Sequence, residues 1–249
     1  MNQILNLNAS ARTGWKFLAG IISAGLLIAG VTGCSTTERV SESPKDFSGF
    51  LSDYSQLHKG KGDEANYIYL DESVNFAKYT KLYVKNVDLW KSDEPDSPFA
   101  NMTPDDQQML VNVFHTAIVN AATSHFEIVD QPGPDVLVVN VAITEARKSK
   151  PVINLVSSVI PQMAVISYGK KLITGTGTGV GYIRIEGNFT DGGTGQRVAA
   201  IVDARAGGKA WSTKFDGSWG DVKLSFDFWA NRFVERFDSF RKGDFSDVK

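Results

Sequence analysis

A single cysteine, Cys34, sets the limits on what this chain can fold into, because of the residues that precede it. Phe17 to Val31 is apolar and uncharged, Arg12 and Lys16 lie just before it, and no acid occurs ahead of Cys34. The stretch ends Val31-Thr32-Gly33-Cys34. A basic region, an apolar region and a small-residue site in that order make a cleaved export signal. The apolar run is short for a membrane span, which needs roughly 20 residues. Folding is therefore expected to begin after Cys34. With no second cysteine, the exported domain has no internal disulfide, and with the Cys34 thiol blocked it would have no thiol nucleophile and no thiolate metal site. It must hold together through its apolar core, for which it is long enough.

Aliphatic, hydroxyl, Gly, then Cys resembles the lipobox of bacterial lipoproteins. The resemblance implies cleavage between Gly33 and Cys34, acylation of the Cys34 thiol, and acylation of the new amino group. Each buried methylene contributes ~0.8 kcal/mol and one acyl chain holds only marginally, whereas several make release negligible. The implied partner is thus the membrane, through acyl chains on Cys34. In such lipoproteins an Asp after the cysteine signals inner-membrane retention, so Ser35 implies an outer-membrane anchor facing the periplasm. Loss of the signal removes Arg12 and Lys16 and no acid, which leaves 24 basic against 28 acidic residues, a net charge of −4. No basic block stands out, so nucleic acid is not an expected partner. A hydrophobic content of 42% suits a folded globule rather than a stalk.

The organisation expected is a signal over 1–33, a lipidated tether over 34–46, and one periplasmic α/β domain over 47–249. Phe50, Leu51, Tyr54 and Leu57 recur at helical spacing and predict a turn or two of helix. Asn66–Leu70 and Lys81–Trp90 read as strands. Thr103 is a good N-cap, Pro104 fits the first helical position, and Asp105 and Asp106 suit the positive end of the dipole. Met109, Leu110, Val113, Phe114, Ala117, Ile118, Ala121 and Ala122 then form one apolar stripe. Phe126–Val129 is a short strand and Val136–Ile143 a buried one. Leu172–Glu186 reads as a long strand with glycines on one face, Asp191–Gly195 as a tight turn, and Arg197–Ala206 as its hairpin partner. Gly217–Lys242 is a terminal helix with Val222, Phe226, Trp229, Phe233, Phe237 and Phe240 as its stripe. Helices alternating with strand pairs predict a two-layer α/β sandwich, a mixed sheet with two main helices on one face.

Candidate chemistry is sparse. Gly175 to Gly181 has period two and lacks the Lys and hydroxyl that a phosphate loop needs, so it reads as a strand approached closely by another element. Only Asp191 in its turn is an acid, too few for a calcium loop. His58, His115 and His125 have no zinc-ligand spacing. Asp203 and Arg205 share a strand face and read as a pair. No nucleophile elbow occurs. The expectation is a domain with no catalytic set, metal or cofactor. Pro151–Tyr168 is apolar, charge-free and broken by Pro161. It reads either as buried helix or hairpin, or as an exposed apolar surface for a partner. On the second reading Ile153, Val156, Val159, Ile160 and Val165 are the candidate contacts with a protein partner or a second copy.

Ser48-Gly49-Phe50-Leu51-Ser52-Asp53-Tyr54-Ser55-Gln56-Leu57 resembles the opening of a family of uncharacterised proteobacterial lipoproteins. The family shares an E-G-x-x-x-D-x-x-T-G hairpin, here Glu186-Gly187 through Asp191 to Thr194-Gly195, and a Trp-rich terminal helix, here Trp219 and Trp229. Its domain has no known function, so the resemblance implies location rather than mechanism. More weakly, the element order is similar to the small periplasmic domain of envelope-assembly lipoproteins, such as curli-secretion lipoproteins and penicillin-binding-protein activators. That implies a non-catalytic protein-binding or envelope-assembly module, with a lipid-handling or transport accessory as the alternative.

Overall fold

In the computed structural model, residues 37–90, 97–99, 102–149, 181–207 and 217–246 are described. Three long strands form the centre of the sheet: β7 (Val136–Arg147), β8 (Tyr182–Asp191) and β9 (Arg197–Gly207). Each is antiparallel to the next. β4 (Lys81–Val84) and β5 (Asp88–Leu89) run parallel to successive stretches of β7. β6 (Glu127–Ile128) adds outside β4, also parallel. On the far side β3 (Tyr67–Leu70) pairs with β9 and β2 (His58–Lys59) with β3. Among the described residues this is a nine-stranded mixed sheet in the order β2-β3-β9-β8-β7-β4-β6, with β1 (Thr37–Arg39) on β9 and β5 on β7.

Strand side chains alternate between faces, and the alternation decides where the core lies. Leu137, Val139, Val141 and Ile143 of β7 join Ile183 and Ile185 of β8 in the main core, beneath the helices. Helix α1 (Pro104–Ala122) starts where the sequence indicates: the Thr103 hydroxyl accepts the Asp106 amide at 3.2 Å. Its buried residues Leu110, Phe114, Ile118 and Ala122 keep to one stripe. Helix α2 (Gly220–Arg241) buries Val222, Phe226, Trp229 and Phe237. The helices meet through Phe114 and Phe226, stacked with ring centroids 4.4 Å apart. Burying each such side chain contributes about 1.5–3 kcal/mol. The expected two-layer architecture, with both helices on one face, is the one observed.

Three local expectations need correction. The stretch read as a tether is built into the fold from Thr37 onward. β1 pairs with the edge of β9 from Thr37↔Gly207 to Arg39↔Arg205, Val40 is buried beside Tyr182, and Glu42 is buried. An open strand edge offers unpaired backbone groups, and even polar residues satisfy them. Phe47–Leu57 is a series of turns rather than a helix, with positive φ at Gly49 (89°) and Ser52 (61°). Here the Tyr54 hydroxyl takes the Gly49 and Leu51 amides, competing with helical bonds. This strap lays Phe47, Phe50, Leu51, Tyr54 and Leu57 over Ala200 and Val202, on the sheet face away from the helices. Lastly, the strand expected to stop at Glu186 runs on to Asp191, so Glu186-Gly187 sits in mid-strand.

Candidate functional site

The carboxylates that the sequence singles out are held by the fold itself. Glu186 is fully buried on the strap side of β8. One of its oxygens takes the Ser48 amide at 2.8 Å and the other the Tyr54 hydroxyl at 2.6 Å. Burial, then the bond to Glu186 and its charge, push the Tyr54 phenol up to about 12. Arg197 ties the same strap down through the Leu51 and Asp53 carbonyls. Asp191 is the hub of the β8–β9 turn. Its Oδ1 accepts the Gly193 and Thr194 amides and the Thr194 hydroxyl; its Oδ2 accepts the Tyr79 hydroxyl and the Lys78 ammonium. Burial raises its carboxyl, but these donors outweigh burial and hold it well below the ordinary range. The indole N–H of Trp219 donates to Asp106, and that of Trp229 to Asp203, each at 2.7 Å. Asp106 also takes Lys148 and Thr103, and with Trp219 these hold it at about 2. Side chains so committed are scaffold.

The open chemistry lies elsewhere, between α2 and the β3–β9 part of the sheet. There α2 leaves a half-enclosed cavity of about 120 Å³. Ile68 and Leu70 of β3, Ile201 of β9, Phe189 of β8, and Phe233 and Phe237 of α2 line it. Phe189 and Phe233 stack at 5.6 Å. At one edge, charged groups gather. Arg232 and Arg236, one turn apart on α2, both donate to the Asp63 carboxylate, the second at 3.0 Å. Phe228, one turn earlier, lies under Arg205 at 3.6 Å and near Arg232 at 5.6 Å. Asp203 lines the cavity too. It does not bond Arg205 as the sequence suggests: it accepts Trp229 and the Asn66 amide, while Arg205 donates to Thr37. Burial pushes Asp203 up to about 6, against the bond from Trp229 and the charge of Arg205.

Residues 46–233 match the family described as "Protein of unknown function (DUF3313)". The chain belongs to the DUF3313 family. Both segments that carried the resemblance, and both tryptophans, fall inside the match. No curated protein matches the chain. Among solved structures, a PelC dodecamer from Paraburkholderia phytofirmans is similar at 13% identity and a TM-score of 0.36, over 66% of this chain and 94% of that one. A minor lipoprotein from Acinetobacter baumannii is similar at 11% identity and a TM-score of 0.31, over 66% and 95%.

In this DUF3313 chain, Gly33 and Cys34 lie outside the described residues, as do Ile153, Val156, Val159, Ile160 and Val165. So do Gly175, Gly177 and Gly179 of the glycine-faced run. Gly181, at its end, is approached as expected: a Cβ there would stand 2.8 Å from that of Asp221 on α2. His125, just past the end of α1, pairs with Asp238 of α2 at 2.8 Å. Among the described residues no group of three or more His, Cys, Asp or Glu is placed to hold a metal ion. Among them, too, no helix is long and apolar enough to cross a membrane. Sequence reasoning missed Asp63, Phe228, Arg232 and Arg236. A signal for the last three exists: Phe228, Arg232, Arg236 and Phe240 recur every fourth residue beside the core stripe of α2.

Proposed function

We propose that this DUF3313 protein is an outer-membrane-anchored periplasmic lipoprotein whose domain is a non-catalytic envelope module, and that its task is lipid handling. The observation that supports the reading is the cavity under α2, walled almost wholly by apolar side chains and open beside charged ones. A half-enclosed apolar pocket with a few convergent polar groups is the usual form of a small-molecule site. Apolar cavities stay dry and accept apolar ligands. An acyl anchor on Cys34 would keep such a domain within reach of a bilayer that supplies them. The alternative task, binding a protein partner or a further copy, rests on Pro151–Tyr168, which lies outside the described residues.

Native mass spectrometry of the acylated protein after mild extraction tests the lipid reading. A lipid adduct beyond the mass of the anchor is expected. Ala199→Phe, which fills the cavity, should abolish it while leaving the circular dichroism unchanged. An adduct-free wild type, or an adduct equally abundant in Ala199→Phe, would overturn the reading.

A further inference from the structure

The charged edge of the cavity has a particular arrangement. Arg232 and Arg236 converge on one carboxylate, and that carboxylate comes from the tip of the β2–β3 hairpin. Asp63 is itself largely exposed, with 61% of its side chain open to solvent. On leaving, the Asp63 carboxylate recovers its hydration, whereas the guanidiniums, only 31% and 14% exposed, are left in need of another anion. The hairpin backbone is held independently of the Asp63 side chain. Gly60 and Asn66 bond across the loop, Glu64 donates back to Lys61, and Arg39 holds the Glu64 carbonyl.

Arg232, which also lies 3.5 Å from Glu235, keeps donor capacity in reserve. The Nε of Arg232 is buried and has no hydrogen-bond partner. A guanidinium is a planar fork of five donors that matches a carboxylate or phosphate edge to edge. Arg205 and Arg39 add positive potential nearby, opposed by Asp63, Glu64 and Asp203. Next to this edge lies a half-enclosed cavity of about 120 Å³, roughly the liquid volume of four water molecules, which suits the first few methylenes of an alkyl chain.

We propose that the cavity takes a single alkyl chain bearing an anionic head group, that Arg232 and Arg236 grip the head, and that Asp63 occupies its place when no such ligand is bound. The inference rests on the reading of the cavity as a ligand site and adds the ligand's class. The head is a carboxylate or a phosphate, as a free fatty acid or a lysophospholipid-like molecule would supply.

The test is a competition on the full-length acylated protein in one nonionic detergent. Equimolar dodecanol, dodecanoate and dodecyl phosphate are offered together, and the bound species are resolved by mass in native spectra. The anions are expected to outcompete the alcohol at least tenfold, which corresponds to about 1.4 kcal/mol. The preferred anion identifies the source of the head group. Asp63→Asn, which removes the internal competitor, should raise the anion adducts several-fold and leave dodecanol unchanged. The double variant Arg232→Gln, Arg236→Gln should bring the anions down to the level of the alcohol. Equal binding of all three by the wild type, or anion adducts indifferent to Asp63→Asn, would sink the head-group grip and leave the cavity reading standing. Absence of every adduct from the wild type would remove both.

Discussion

Asp203 and Asp191 sit on neighbouring strands and respond to burial in opposite ways. Asp203 accepts hydrogen bonds from Asn66 and Trp229 and feels the charge of Arg205, but burial dominates, raising its carboxyl to about 6. Between about pH 4 and 6 the folded chain therefore binds more protons here than the unfolded chain. Stability must fall as pH rises through that window, and the penalty is complete above it. The Trp229 indole N–H resonance should titrate with a midpoint near 6, and Asp203→Asn should abolish the transition. An indole signal that stays flat from pH 4 to 8 would contradict this account. Asp191 works in reverse: its donors lower its carboxyl, so its contribution is present at neutral pH and is lost as pH falls below the ordinary carboxylate range. Sequence alone marked Asp191 as a turn residue because its glycines are adjacent. It gave Asp203 the wrong partner, because Trp229 and Asn66 are distant in the chain.

At the scale of elements, the strap over residues 47–57 and the β8–β9 hairpin form one unit. The two segments that carried the family resemblance are joined by Glu186 and Arg197, which gives them a structural reason to occur together. Tyr54→Phe would leave a Glu186 oxygen buried without its donor, at a cost of about 1–3 kcal/mol. Limited proteolysis should then cut first between Phe47 and Leu57, while the urea midpoint shifts down and the sheet persists. Unchanged protease resistance of the strap would show that the aromatic contacts of Phe47 and Phe50 suffice to hold it. The helices were legible because their signals are local: a cap, a proline at the first position, a four-residue stripe. Neither the strap nor β1 was legible, since each owes its conformation to strands about 140 residues or more away.

At the scale of the whole molecule, the expected acyl anchor and the cavity belong to the same proposal, a domain that meets lipid at the membrane it is attached to. Cys34→Ser should move the protein from the membrane pellet to the soluble periplasmic fraction on osmotic shock. Retention in the pellet would show that something other than acyl chains holds it there.

What the sequence by itself determined is whatever short-range chemistry encodes: the start of α1 at Thr103, the amphipathic stripes of both helices, the turn at Asp191, and the two-layer class that alternating strands and helices require. What only the tertiary structure decided is which surfaces stay open. Phe233 and Phe240 belong to the same stripe as the fully buried Phe226, yet they line a cavity, because α2 lies over β9 and leaves the β3 side of the sheet partly uncovered. Arg232 and Arg236 read as an ordinary solvated face until the β2–β3 hairpin brings Asp63 to them across more than 160 residues of chain. Periodicity fixes which side of an element is apolar. The placement of one element over another fixes whether that side is filled.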